Sequence, residues 1–252
     1  MKYCHIISVG VSITTNYCKE KNVSKDELNF EKLLHNKVFI TELLDFVNKD
    51  PKKASAELNA LYSYSEKYKV PIDEAYLIST DTDECELCTR VLERYLKKKG
   101  IATHIKRVKG YNVKYGDFYE GLVEFLKTIA EKVRIWKDRK IYFNATSGFK
   151  PEVSLLVTMG STLGISTYYR HEVIGDVVEI PPFPIVLLSI EKLKPFIESQ
   201  SGRVFVKRID ELLLKNNLVQ PIFDRYGIIK GYEITPIGKL MWKIWKTMEG
   251  LK

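Results

Sequence analysis

The chain has 252 residues, 45% hydrophobic and 29% charged. That is the mix of an ordinary folded protein with one large domain, or a large one and a small one, and it excludes a disordered chain, a collagen and a disulfide scaffold. The net charge of +8 leans toward anionic partners, and the stretch from Phe183 onward is the more basic part, with 12 Lys+Arg against 7 Asp+Glu.

Tyr3 to Val11 is an apolar run rich in Ile and Val that ends at Gly10-Val11-Ser12, so it reads as a first strand and turn rather than as a signal peptide. No run approaches the roughly 18 apolar residues of a membrane span, and a cytoplasmic protein is expected. Ser24-x-x-Glu27 resembles a capping box and opens a helical stretch to about Asn48. Pro51 starts another helix, through Tyr68. Glu74 to Thr80 is a strand, Glu84 to Lys99 a helix stopped by Gly100, and Ala102 to Val108 a third strand. Asp117 to Val133 is helical, Lys140 to Asn144 a fourth strand, and Pro151 to Leu163 a helix. Ile165 to Tyr169 and Val177 to Ile180 are two strands joined as a hairpin.

Strands alternating with helices imply βαβ crossovers. The expected fold class is α/β, a Rossmann-like domain with a mostly parallel sheet over residues 1–182. Pro181-Pro182-Phe183-Pro184 breaks the pattern and marks a hinge. Beyond it come helices at Ile190–Glu198 and Val204–Asn216. Strands at Leu218–Phe223 and Ile228–Ile234 follow around an Asp224–Gly227 turn, then a helix from Thr235-Pro236 to Met248. This order predicts a small winged helix-turn-helix domain over 183–252.

Four cysteines do not make a disulfide framework. Cys85 and Cys88 form a lone CxxC without a second pair or histidines at ligand spacing, so no metal site is expected. They read as two thiols near a helix start. Glutamine occurs only at Gln200 and Gln220 while Lys and Glu abound, a composition that leans thermophilic.

Ligands of open α/β sheets lie outside the carboxyl ends of the strands. Four polar loops converge there: Gly10 to Asn16, Thr80 to Thr82, Asn144 to Lys150, and Arg170-His171-Glu172. In the third of these, Thr146, Ser147 and Gly148 offer backbone N–H groups at a helix N-terminus and Lys150 adds a positive charge, the makings of an anion site. The same loop also reads as a plain helix cap, and the residues alone leave both readings open. Ser12 alone reads as a turn serine, and Asp81 and Asp83 as turn and cap residues. Neither the Walker A spacing nor Gly-x-Gly-x-x-Gly occurs, and no cofactor is expected.

Taken together, these loops resemble the CRISPR-associated ring nucleases. Val9 to Asn16 resembles the first-strand loop of that family, and Ser79-Thr80-Asp81-Thr82 its second-strand loop. Asn144-Ala145-Thr146-Ser147-Gly148-Phe149-Lys150 is similar to its Asn-x-Thr-Gly-Gly-Phe-Lys signature, with Ser147 where glycine is common. Tyr168 to Glu172 and Pro181 to Ile185 resemble its closing motif. The resemblance covers residues 3–185. It implies a CARF domain, a homodimer enclosing cyclic tetra-adenylate on its two-fold axis, and metal-independent cleavage to linear products ending in a 2′,3′-cyclic phosphate. That cleavage switches off type III CRISPR signalling.

By the same resemblance Ser12 and Lys150 are the catalytic pair. Contacts to the ligand fall on Gly10, Val11, Thr14, Asn16, Thr80, Asp81, Asn144, Thr146, Ser147, Gly148, Phe149, Arg170 and His171. The alternative is a non-catalytic sensor of cyclic oligoadenylate that binds DNA through the C-terminal domain. The Arg-x-x-x-x-His motif of HEPN ribonucleases has no place in that domain, because no His follows His171.

Overall fold

A computed structural model describes residues 1–110, 118–148, 150–171, 175–182, 190–199, 201–206 and 209–249. The chain divides into two compact units, Met1–Ile185 and Val186–Lys252.

The first unit is built on β1 (Tyr3–Ser8), whose run Cys4-His5-Ile6-Ile7-Ser8 is buried on both faces, as a central parallel strand must be. α1 (Ser12–Lys21), α2 (Phe30–Leu33), α3 (Lys37–Lys49), α4 (Pro51–Ala54) and α5 (Ala56–Tyr68) separate it from β2 (Glu74–Ser79). Then come α6 (Asp83–Lys98), β3 (Ala102–Arg107), α7 (Phe118–Ile135), β4 (Lys140–Asn144), α8 (Lys150–Leu163), β5 (Thr167–Arg170) and β6 (Val177–Ile180). The six strands lie in the order β3-β2-β1-β4-β5-β6. All pairs are parallel except the β5–β6 hairpin. This is the Rossmann-like α/β arrangement expected from the alternation of elements.

One face of the sheet (Ile7, Leu77, Tyr142, Tyr168) shares a continuous core with α1, α3, α5 and α6. Tyr76, next to Leu77 and therefore on the opposite face, meets Trp136 just beyond α7 edge-on at 6.1 Å. α7 and α8 pack against each other and α8 against β4 and β5. The edge strand β3 carries Lys106 and Arg107, charges that discourage further pairing.

Local chemistry explains where the elements differ from expectation. Ser12-Ile13-Thr14-Thr15-Asn16 is the first turn and more of α1, not an open loop. Its Thr and Asn are weak helix formers, and the helix is held by burying Ile13, Thr14, Tyr17 and Cys18. The helix expected from Ser24 to Asn48 is three pieces. The Ser24 side chain makes no cap there, while the Asn29 and Asn36 side chains accept from Lys32 N–H and from Val38 and Phe39 N–H and restart the helix twice. The helix expected from Pro51 breaks at Ser55, an extended residue whose hydroxyl caps α5. Cys85 and Cys88 lie near the start of α6, and all four cysteines are buried and free.

The second unit holds α9 (Lys194–Glu198), β7 (Arg203–Val204), α10 (Glu211–Lys215), β8 (Val219–Phe223), β9 (Ile229–Ile234) and α11 (Pro236–Glu249). Its antiparallel sheet runs β7-β9-β8. Leu193, Phe196, Leu213, Val219, Tyr232 and Ile234 form its core, with Trp242 and Trp245 packed against it. The helix expected over Val204–Asn216 is overturned. Arg203 and Val204 pair with Glu233 and Tyr232 as strand β7, and among the described residues of that span only Glu211–Lys215 is helical, capped by Asp210. The Asp224 carboxylate, by contrast, closes the expected turn by accepting from Tyr226 and Ile228 N–H.

Candidate functional site

Strand order reverses between β1 and β4, with β2 and β3 to one side and β5 to the other. A crevice opens at such a switch point because the two crossovers leave in opposite directions. The chain leaves β1 through Val9-Gly10-Val11 into α1 and leaves β4 through residues 145–148 toward α8. These two loops touch. A Cβ on Gly10 would lie 3.3 Å from Ser147 Cβ and 3.4 Å from Gly148 N. Gly148 has φ +111°, and a Cβ there would meet Ser8 Oγ at 2.5 Å and Glu152 Oε2 at 2.7 Å, so only glycine fits without rearrangement.

Between the loops lies a cleft of about 620 Å³, within the usual range of small-molecule sites. Gly10, Val11, Ser12, Asn16, Thr80, Thr146, Ser147, Gly148 and Arg170 line it. The structure therefore brings these sequence candidates together. Asn16 spends its amide on the carbonyls of Lys53 and Ala54 (3.1 and 3.2 Å), tying α1 to α4. The Thr146 hydroxyl accepts from Arg170 N–H (3.2 Å) and joins the β4 and β5 loops.

Five other candidates do not line the cleft. Thr14 is buried beneath it, 2.5 Å from Glu84 Oε1. Asn144 is fully buried; its amide donates to the Glu57 carbonyl (3.1 Å) and its Oδ1 accepts from Thr146 N–H (3.1 Å), which shapes the β4 turn. Asp81 accepts from Gly110 N–H at 3.2 Å and so braces the exit of β3. His171 pairs by backbone with Asp176 (3.1 Å). Lys150 is exposed at the first position of α8. Phe149 and Glu172 lie outside the described residues.

Several lining or supporting residues were not anticipated. Lys19 of α1 and Lys52 and Lys53 of α4 border the cleft and, with Arg170, make its rim cationic. The adjacent Lys52-Lys53 pair after Pro51 was a visible signal. Glu57 and Glu152, each 2% exposed, had none. Glu57 Oε1 accepts from Gly10 N–H at 2.8 Å. Its Oε2 accepts from the hydroxyls of Ser12 (2.7 Å) and Ser55 (2.6 Å). The Ser12 oxygen in turn accepts Ala56 N–H at 3.0 Å. One buried carboxylate thus anchors the β1 loop to the start of α5, 45 residues further along the chain.

Cys85 borders the cleft and donates to the Val9 carbonyl at 3.1 Å. Burial pushes its thiol up to about 11, so it stays protonated at neutral pH and packs rather than reacts. Burial pushes the Cys88 thiol up as well. Among the described residues no three His, Cys, Asp or Glu side chains gather as a metal-ligand set, and no helix is long and apolar enough to cross a membrane. Lys19, Lys52, Lys53 and Arg170 at its rim suit the cleft to an anionic ligand, while the buried carboxylate of Glu152 also lies in its lining.

Several solved structures are similar to this chain. Csm6 from Enterococcus italicus, bound to cyclic hexa-2′-fluoro-hexa-dAMP, is 11% identical over 68% of this chain and 34% of its own, with a TM-score of 0.40. Can2 from Sulfobacillus thermosulfidooxidans, in complex with cyclic tetra-adenylate, is 12% identical over 98% of this chain and 65% of its own, with a TM-score of 0.35. Protein VC1899 from Vibrio cholerae is 9% identical over 99% of this chain and 66% of its own, with a TM-score of 0.41. The chain spans about a third of the first and about two thirds of the others. The model of one protein family, described as CRISPR-associated protein (Cas_APE2256), matches residues 52–183, just over half of the chain and most of the Rossmann-like unit. The chain belongs to this family of CRISPR-associated proteins.

Proposed function

We propose that the Rossmann-like unit is a CARF domain that binds cyclic tetra-adenylate across a homodimer. In this reading it cleaves the ring, without a metal, to linear products ending in a 2′,3′-cyclic phosphate and so ends type III CRISPR signalling. The observation that carries the reading is the contact of the β1 and β4 loops at the switch point, in a chain of a CRISPR-associated family. That contact places Ser12, Ser147 and Gly148 around one cleft. The motif resemblance supplies the ligand.

The chemistry asks little of the protein. The substrate's own 2′-OH attacks the adjacent phosphorus, so the site must hold that hydroxyl in line and stabilise the charge that develops. Ser12 holds the sugar edge, and the amides of Ser147 and Gly148 hold phosphate oxygens. Lys150 neutralises the pentacovalent phosphorus centre. It stands outside the cleft lining of one protomer, on exposed surface at the start of α8, which suits a ring shared by two protomers. A two-fold ring and a two-fold dimer present equivalent sites twice.

The test is incubation with cyclic tetra-adenylate in EDTA, with products read by mass spectrometry. Linear products bearing a 2′,3′-cyclic phosphate are expected, with at least a 100-fold loss in Lys150→Ala. A ring that is bound but left intact favours the second reading, a sensor that acts on DNA through the C-terminal unit. That reading draws on the exposed β8–β9 turn, which presents Arg225 and Tyr226.

A further inference from the structure

We propose that Glu57 acts through Ser12 as the acceptor of the 2′-OH proton, making Ser12 a relay rather than a phosphate ligand. The inference rests on the ring-nuclease reading and deepens it. It follows from the hydrogen bonds of one hydroxyl group. Ala56 N–H donates to Ser12 Oγ at 3.0 Å and takes one lone pair. The Ser12 proton points to Glu57 Oε2 at 2.7 Å, because a carboxylate can only accept. What Ser12, which lines the cleft, has left for a ligand is its remaining lone pair. Toward a ligand it can therefore accept and not donate. A phosphate oxygen offers it nothing, while a ribose hydroxyl offers it a proton.

Glu57 is held for this role. Gly10 N–H fixes one carboxylate oxygen at 2.8 Å, and the Ser55 hydroxyl, at 2.6 Å, braces the other. Glu57 is 2% exposed and meets the cleft lining through the Ser12 hydroxyl and Gly10 N–H, of which only the hydroxyl can pass a proton on. In the step, the 2′-O–H bond breaks and its proton passes to Ser12 Oγ, while the Ser12 proton passes to Glu57 Oε2. The 2′-oxygen forms its bond to phosphorus and the P–O5′ bond breaks. The 5′-oxygen takes a proton from water, and Glu57 later returns its proton to water. No oxidant, reductant or further reactant is needed. Glu57 does not touch the substrate and is a positioning residue of the reaction.

The test compares wild type, Glu57→Gln, Ser12→Ala and the double variant by calorimetric ring binding and single-turnover cleavage of cyclic tetra-adenylate in EDTA. Glutamine keeps the shape and can still accept from Gly10 N–H, but its amide donates to Ser12 and turns the hydroxyl proton toward the cleft. The expected result is ring affinity within about threefold of wild type and cleavage slower by roughly 100-fold or more, the usual worth of general base catalysis. Ser12→Ala should lose as much, and the double variant no more than Ser12→Ala alone. Cleavage of Glu57→Gln near the wild-type rate overturns the relay and leaves the ring nuclease standing. So does a loss of affinity that accounts for the loss of rate. A wild-type protein that does not cleave the ring overturns both. If Glu57→Gln fails to fold, the wild-type rate in H2O/D2O mixtures decides. Two protons moving together give a curved dependence on deuterium fraction, and a linear one overturns the relay.

Discussion

His5 lies in the middle of β1, fully buried among Tyr64, Tyr142 and Tyr168. Its Nδ1 is 3.0 Å from the Tyr168 hydroxyl and its Nε2 3.3 Å from the Pro71 carbonyl. The neutral ring satisfies both: Nε2–H donates to Pro71 and Nδ1 accepts from Tyr168. Burial lowers its pKa from 6.5 to about 4. The unfolded chain takes up a proton near pH 6.5 that folded His5 refuses until about pH 4. Stability from this group is therefore complete above pH 6.5 and is lost as pH falls through that window, by on the order of 3 kcal/mol. Urea unfolding at pH 7 and pH 4.5 should show this loss in wild type and a smaller one in His5→Gln; equal slopes with pH would refute the assignment. At this scale the sequence was readable where chemistry is local. The strand that holds His5 followed from the apolar run Tyr3 to Val11. The role of Glu57 did not, because its partners at residues 10 and 12 meet it only after β1 and α5 are packed.

Among the elements, alternation of strand and helix was legible because parallel strands buried on both faces are near-continuous apolar runs, and β1, β2 and β4 are such runs. Helix breaks were not legible. A helix that stops and restarts keeps its apolar period, and only the cap reveals the seam. Ser55 is the seam that matters most, since α4 brings Lys52 and Lys53 to the cleft and α5 begins beside Glu57. The Ser55 hydroxyl accepts from Leu58 N–H at 3.2 Å and donates to Glu57. Ser55→Ala should cost about 1–2 kcal/mol of stability, the worth of an N-cap, measured as a lower urea midpoint with an unchanged slope. A cost under about 0.3 kcal/mol would mean that α5 is held by its buried face alone. In the second unit the expected helix over 204–216 failed because β7 is only two residues long, and its pairing with β9 left no periodic signal.

The site belongs to the first unit as a whole, because no single segment contains it. The switch point between β1 and β4 was implied by the order of elements, and so the converging loops could be named in advance. The Lys52-Lys53 pair was visible as charge, but its place at the rim beside Lys19 was not, since these lysines arrive from helices inserted between β1 and β2. Two of these lysines have acidic neighbours, Glu66 at 2.6 Å from Lys52 and Glu20 at 3.7 Å from Lys53. Such exposed pairs are worth little and yield readily to a phosphate. Cyclic tetra-adenylate carries four phosphates. If all four are neutralised, the logarithm of its affinity should fall with the logarithm of salt concentration at a slope of about −3, from about −0.7 per phosphate of a single strand. Lys53→Ala should weaken ring binding and flatten that slope by about 0.7. Duplex DNA, if it binds the second unit, should hold to Lys53→Ala as it holds to wild type, since Lys53 belongs to the first unit. A ring affinity indifferent to salt would mean that the rim lysines keep their carboxylate partners and that the amides of Ser147 and Gly148 carry the binding.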